Sequence, residues 1–161
     1  MNHTAYINLG SNLGDRLCIL QSAVAAIESR LGTAARRSEP FESEPWGYSS
    51  ANPYINIGIA ITTTLEPPEL LAELLDIQRA IDPSPHRDAT GAYIDRRIDI
   101  DLIAVDELTL SLPELTLPHP RMHQRDFVMT PMAELAPTWR HPILGLTAAQ
   151  ISASLTANTH Q

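Results

Sequence analysis

The sequence predicts an α+β fold of the ferredoxin-like kind, a mainly antiparallel sheet packed with helices in an α/β/α sandwich. Three observations carry that prediction. A chain of 161 residues that is 43% hydrophobic has the length for one domain and the apolar content for a substantial core. Its apolar residues alternate by two in some stretches and step by three and four in others, which separates strands from helices. In chain order the elements read β-α-β-β-α-β followed by helices, the split βαβ arrangement. Residues 1–161 are therefore expected to form a single domain, and the sequence shows no internal repeat.

Each element has its own warrant. Ala5 to Leu9 is a short apolar run that reads as a buried strand, ended by Gly10-Ser11-Asn12. Leu13, Leu17, Leu20, Val24, Ile27 and Leu31 recur at helical spacing, and Gly32 supplies the left-handed stop. Another strand is expected between Ala34 and Phe41, with Arg36-Arg37 as a solvated pair. Ile55 to Ile61 alternates as a strand does, and Gly58 within it marks close packing. Pro67-Pro68 opens a second helix with Leu70, Leu74, Ile77 and Ile81 as its apolar stripe. Ile98, Ile100 and Leu102 alternate with charged residues in a further strand. After a Pro-rich stretch to Pro120, a short helix is expected over Arg125 to Leu135, its start limited by Pro131. Thr147 and Gln150 have the spacing of a capping box for a last helix to Leu155. Glu42–Pro53 and Asp82–Asp95 are long for loops of a compact domain, the length typical of functional lids or of disorder.

Composition excludes several classes of function. The net charge of −8 leaves no basic surplus to neutralise a nucleic-acid backbone. No apolar run approaches the ~20 residues that a membrane helix needs, and Met1-Asn2-His3 leads straight into Ala5-Tyr6-Ile7 without a basic leader. A cytoplasmic protein with no nucleic-acid or membrane partner is the expectation. The single Cys18 cannot form an internal disulfide and is expected as a small core residue. All eleven basic residues are Arg, so a lysine Schiff base, a lysine general base and a Walker-type loop are excluded. Any polyphosphate must be held by guanidinium forks, backbone amides and metal.

The most informative stretch is Arg96-Arg97-Ile98-Asp99-Ile100-Asp101-Leu102-Ile103. On a strand, side chains two apart share a face, so Asp99 and Asp101 point the same way, roughly 6.5–7 Å apart at Cα. Like charges that close repel, and a hard cation relieves them. Such a pair can bridge one or two Mg²⁺ ions against a polyphosphate. A solvated acidic strand face is the plainer alternative. His119 and His123, four apart, could share a metal on a helix, but Pro118 and Pro120 argue against a helix there.

Taken together, the motifs resemble the 6-hydroxymethyl-7,8-dihydropterin pyrophosphokinase family over nearly the whole chain. The matching pieces are Tyr6-Ile7-Asn8-Leu9-Gly10-Ser11-Asn12-Leu13-Gly14-Asp15-Arg16, then Phe41-Glu42-Ser43-Glu44-Pro45-Trp46-Gly47 and Tyr54-Ile55-Asn56. Arg96-Arg97-Ile98-Asp99-Ile100-Asp101, Leu117-Pro118-His119-Pro120-Arg121, Arg125-Asp126-Phe127-Val128 and Glu134-Leu135-Ala136-Pro137 follow in the family's order.

The resemblance implies a monomeric enzyme that moves the terminal diphosphate of ATP to the hydroxymethyl group of a dihydropterin, releases AMP and uses two Mg²⁺ ions. By position, Asp99 and Asp101 would hold the ions. Arg96 and Arg125 would grip the triphosphate, with Thr116 and His119 as further phosphate contacts. Tyr54 and Phe127 would sandwich the pterin, Asn56 would bond its polar edge, and Gly10, Ser43 and Trp46 would line the pocket. The chain departs from the family pattern in one region. Pro85-His86-Arg87-Asp88 replaces the usual Gly-Arg-x-Arg run, leaving Arg87 as one displaced counterpart of two loop arginines. Tyr93 stands where the family has a pocket-capping Trp, Ala51 where it usually has Gln, and Asp95 sits beside Arg96. Two readings stay beside the main one: a divergent paralogue that binds pterin or nucleotide with weak or altered activity, and a different phosphoryl- or nucleotidyl-transferase using the two acids as a generic metal site.

Overall fold

The computed structural model describes residues 2–43, 53–83 and 97–159. Its first strand, β1, runs over His3–Ser11, longer at both ends than the apolar run Ala5 to Leu9. Helix α1 covers Arg16–Leu31. The Asp15 side chain accepts a hydrogen bond from the Cys18 amide at its start, and Gly32 closes it at φ 65°, a conformation that costs other residues strain. The expected strand between Ala34 and Phe41 is two short ones, β2 over Arg36–Arg37 and β3 over Phe41–Ser43. Glu42 and Ser43, read as the start of a loop, are thus the end of β3. Strand β4 covers Tyr54–Thr63 and helix α2 covers Pro67–Ile81, with the Glu69 carboxylate accepting from the Glu66 amide across its first turn. Strand β5 covers Asp99–Val105. A small hairpin that the sequence pattern did not reveal, β6 over Leu110–Ser111 and β7 over Thr116–Leu117, precedes helices α3 at Asp126–Leu135 and α4 at Ala148–Thr159.

The main sheet has the order β2-β4-β1-β5, with β3 also paired to β4, and all its pairings are antiparallel. Since β2 and β1 both run antiparallel to β4, they are parallel to each other and joined through α1. By the same logic β4 and β5 are parallel and joined through α2. Two interleaved β-α-β units make the ferredoxin-like topology that the sequence predicted.

Alternation divides the sheet into two faces. Ala5, Ile7 and Leu9 of β1, Ile57, Ile59 and Ile61 of β4, and Ile100 and Leu102 of β5 pack with Leu20, Val24 and Ile27 of α1 and Leu70, Leu74 and Ile77 of α2. The opposite face holds a second cluster in which Ile103 and Ala104 meet Val128, Met129 and Met132 of α3, Ala148 and Ile151 of α4, and Trp139. Helices thus cover both faces. Each fully buried Leu or Ile contributes ~1.5–3 kcal/mol relative to exposure, so the first layer dominates the stability.

Four local expectations need correction. Leu13 and Leu17 are about 41% and 40% exposed: Leu13 precedes the helix and Leu17 sits in its first turn, outside the buried stripe. Cys18 is exposed rather than a core residue. Pro131 does not limit the start of α3; it lies in the helix interior, and a Cβ placed on Gly58 would be 2.7 Å from the Pro131 Cβ. That close packing on a bare glycine offsets the backbone hydrogen bond that proline cannot donate. Arg36 and Arg37 are exposed, but each is engaged, with the Leu135 carbonyl and the Glu28 carboxylate respectively. The capping box is present: the Thr147 amide donates to Gln150 Oε1 at 2.8 Å and the Gln150 amide to Thr147 Oγ1 at 3.2 Å, although α4 continues past Leu155. Among the described residues no helix is long and apolar enough to cross a membrane.

Candidate active site

The register of three strands sets out the site. Gly10 on β1 pairs with Asn56 on one side and with Asp99 on the other. One row further in, Asn8 pairs with Gly58 and Asp101. Paired strands lie ~4.8 Å apart, so an amide and a carboxylate face the same way about 9.5 Å apart with a side-chain-free residue between them. The glycine is obligatory. A Cβ on Gly10 would stand 2.9 Å from Asn56 Oδ1 and 3.3 Å from Cδ1 of the Tyr54 ring.

Asn56 is 2% exposed, and its amide nitrogen donates to Ser43 Oγ at 2.8 Å and to the Phe41 carbonyl at 3.3 Å. Its donors are therefore taken up by β3, and its carbonyl oxygen faces Gly10. Ser43 pairs with Tyr54 across the β3–β4 ladder, so Gly10, Ser43, Tyr54 and Asn56 form one contiguous group. Arg16 ties the start of α1 to this group, donating to the Pro53 carbonyl at 2.8 Å.

Asp99 and Asp101 are half-buried on β5. Two residues that sequence reasoning did not single out brace this strand. Gln78 accepts from the Ile100 amide at 2.7 Å, and Asp82 accepts from the Arg97 amide at 3.0 Å. A signal existed for Gln78, a polar residue four after Leu74 on the apolar stripe of α2, where only a partnered side chain is tolerated. The β1–β5 register shifts between Tyr6 and Ile7, so Ile103 is an extra residue on β5. Its carbonyl accepts from the His119 amide at 2.8 Å, which fixes the His119 turn against the acidic strand. Burial, followed by the nearby Arg125 and Arg121 charges, pushes the His119 pKa down to about 4, so its imidazole is neutral at pH 7. Its Nδ1 accepts from the Arg121 amide at 3.2 Å, which leaves the proton on Nε2.

Helix α3 crosses the strands. Its C-terminal Leu135 carbonyl meets Arg36 on β2, Pro131 rests on Gly58 of β4, and Val128 and Met132 flank Asn8 of β1. Arg125 lies over the Phe127 ring with its Cζ 5.6 Å from the centroid, a cation–π contact joining two residues read as belonging to different ligands. Thr116 is exposed on β7, which packs near β5. His123 turns its ring edge-on to His141, centroids 6.0 Å apart. Trp46, Arg87, Tyr93 and Arg96 lie outside the described residues, as do Ala51, Asp95 and the loop around Pro85 and Asp88.

Two same-face carboxylates suit a hard cation. Mg²⁺ binds oxygen, keeps several waters, and commonly takes one or two carboxylates together with substrate phosphates, so it needs no cage of protein ligands. Among the described residues no group of three or more His, Cys, Asp or Glu side chains gathers, as an all-protein zinc site would require.

A buried amide and a same-face acid pair flanking a bare glycine on the sheet of an α+β domain suit an enzyme that transfers phosphoryl groups to a small molecule. The chain belongs to the 7,8-dihydro-6-hydroxymethylpterin-pyrophosphokinase (HPPK) family, whose model matches residues 6–137. It is 40% identical over 138 residues to a 2-amino-4-hydroxy-6-hydroxymethyldihydropteridine pyrophosphokinase of Porphyromonas gingivalis, covering 85% of this chain and 92% of that one. Identity to the Bacillus subtilis protein of the same name is 35% over 136 residues, covering 84% of this chain and 79% of the relative. Among solved structures, a wild-type Plasmodium falciparum HPPK-DHPS superposes with a TM-score of 0.75 at 11% identity, a likeness of fold. The match covers 98% of this chain but spans only 45% of that longer one.

Proposed function

We propose that this chain transfers diphosphate from ATP to the hydroxymethyl group of 6-hydroxymethyl-7,8-dihydropterin and releases AMP, a step of folate biosynthesis. The observation that carries the reading is the row Asn56–Gly10–Asp99, which sets a buried amide beside a metal-competent carboxylate pair across a bare glycine. The Asn56 carbonyl accepts from the pterin's N–H edge, and the missing side chain at Gly10 is what lets Asn56 and Tyr54 lie close over β1. Tyr54 and Phe127 stack on the two ring faces, each contact worth ~0.5–1.5 kcal/mol. Asp99 and Asp101 hold two Mg²⁺ ions, which when bound neutralise triphosphate charge.

Arg125 and Arg96 grip the phosphates, with Arg87 contributing from the variant loop. His119, neutral, donates from Nε2 to a phosphate oxygen, and Thr116 adds a hydroxyl. Trp46, Ser43 and Tyr93 complete the pterin pocket. The substrate hydroxyl oxygen forms a bond to the β-phosphorus, and the bond from that phosphorus to the α–β bridging oxygen breaks. AMP leaves with the bridging oxygen, and the hydroxyl proton passes to solvent. Catalysis comes from positioning and charge neutralisation, without a covalent intermediate. The chain works as a monomer in the cytoplasm.

The test mixes protein, Mg–ATP and 6-hydroxymethyl-7,8-dihydropterin and separates the nucleotides. AMP released one for one with pterin diphosphate is expected. ADP in place of AMP, or no pterin-dependent AMP, would reject the reading.

A further inference from the structure

Asn8 is the polar residue of the sheet's second face that no role above absorbs. It is 4% exposed, and its Oδ1 has no hydrogen-bond partner. A buried carbonyl oxygen without a donor costs ~1–3 kcal/mol, so an apolar residue of similar shape would serve packing better. The small cavity beside it has room for about one water, but its lining is Tyr6, Gly58, Ile103, Val128, Met132 and Leu135, too apolar to give a water two to four partners.

One neighbour explains an amide here. By register Asn8 stands directly opposite Asp101, on the same face, and directly opposed side chains have Cβ atoms ~4.5–5.5 Å apart. At that spacing an Asn amide nitrogen and an Asp carboxylate oxygen can be brought within hydrogen-bond distance. The terminal torsion of Asn is broad, so the amide can turn to Asp101 without movement of either strand.

We propose that Asn8 is a positioning residue for Asp101: its amide N–H holds one carboxylate oxygen so that the other is directed at the cation. The inference rests on the metal role proposed for Asp101. Partners that orient a ligating carboxylate typically change metal affinity 10–100-fold when removed. Asn8 sets the affinity of the acid pair for its cation and leaves the pterin recess, one row away, unaffected.

Mn²⁺ is titrated into the protein by electron paramagnetic resonance, with thermal melting of the cation-free protein alongside. Asn8→Ala should weaken Mn²⁺ binding about tenfold while the cation-free melting temperature holds or rises, since a buried orphan is removed. Asn8→Ser, which keeps a short donor, should restore most of the affinity, and it also serves as the test if the Ala variant does not fold. Unchanged Mn²⁺ affinity in Asn8→Ala, or Asn8→Ser no better than Asn8→Ala, would overturn the proposal. If Asp101→Ala binds Mn²⁺ as the parent does, the metal reading itself fails, and the Asn8 proposal falls with it.

Discussion

The two ends of one sheet face differ although the same strands build both. At the closed end Tyr6 pairs with Ala60 and Ala104 under a layer containing Trp139, whose ring meets Tyr6 edge-on with centroids 6.3 Å apart. The Trp139 indole there donates to the Asp106 carbonyl at 2.7 Å, and from the opposite face of β1 His3 Nδ1 meets the Asp106 carboxylate at 2.8 Å. At the other end the equivalent row is Asn56, Gly10 and Asp99, an amide and a carboxylate across a bare backbone. Along β1 and β4 the period-2 alternation is the same at both ends. The difference is residue size and polarity along one face, so substitutions at one end should cost stability and those at the other should cost function.

The largest effect should come from the acid pair. Asp101→Ala should lower kcat at saturating Mg²⁺ by about a hundredfold or more, some 3 kcal/mol of barrier, with the melting temperature unchanged or slightly higher because like-charge repulsion is relieved. A kcat near that of the parent would remove Asp101 from the metal site.

The two close-packed glycines provide the sharpest contrast. Gly58→Ala drives a methyl into Pro131 and should destabilise by ~1–3 kcal/mol in denaturant titration, with substrate affinities nearly unchanged in the folded fraction. Gly10→Ala drives a methyl against Asn56 and Tyr54, displacing both, and should weaken pterin binding about tenfold or more. If the Gly10 variant loses stability and keeps its affinity, the division between the ends is wrong.

Much of this division was readable beforehand, and the failures have physical causes. Asp99 and Asp101 share a face because strand periodicity demands it, and Gly58 did mark a close approach. Pro131 was misjudged because its tolerance depends on that glycine, a distant partner that no local window contains. Leu13 and Leu17 read as core because helical spacing does not reveal where the buried stripe of a helix begins, and Cys18 because a lone cysteine is usually buried. The extra residue at Ile103, the register of Asn8 on Asp101 and the brace from Gln78 are properties of paired strands and packed elements, and a single segment carries no trace of them. The residues proposed to line the pocket, Gly10, Ser43, Tyr54, Asn56 and Phe127, come from family resemblance, not from periodicity.

A smaller effect separates the ends by pH. The Asp106 bond, followed by Glu66 and against burial, raises the His3 pKa above its ordinary 6.5, so its stabilisation is full below about pH 6.5 and fades as pH rises through the raised value. His119 has the opposite sign. Its pKa near 4 means the folded state resists protonation, so its contribution is full above about pH 6.5 and declines as pH falls toward 4. Melting curves from pH 5 to 8 should therefore lose part of their alkaline decline in His3→Gln and part of their acid decline in His119→Gln. Identical slopes in both variants and the parent would show that neither histidine is coupled to folding.

The central claim is that one row of the sheet binds pterin at Asn56 and the metal–triphosphate at the acid pair, on opposite sides of Gly10. Calorimetric titration of hydroxymethyl-dihydropterin and of a magnesium complex of a non-hydrolysable ATP analogue tests it, using Asn56→Ala and the Asp99→Ala, Asp101→Ala double variant. A crossed result is predicted: Asn56→Ala loses most of its pterin affinity and keeps the nucleotide, and the double variant does the reverse. Equal losses of both ligands in both variants would contradict it.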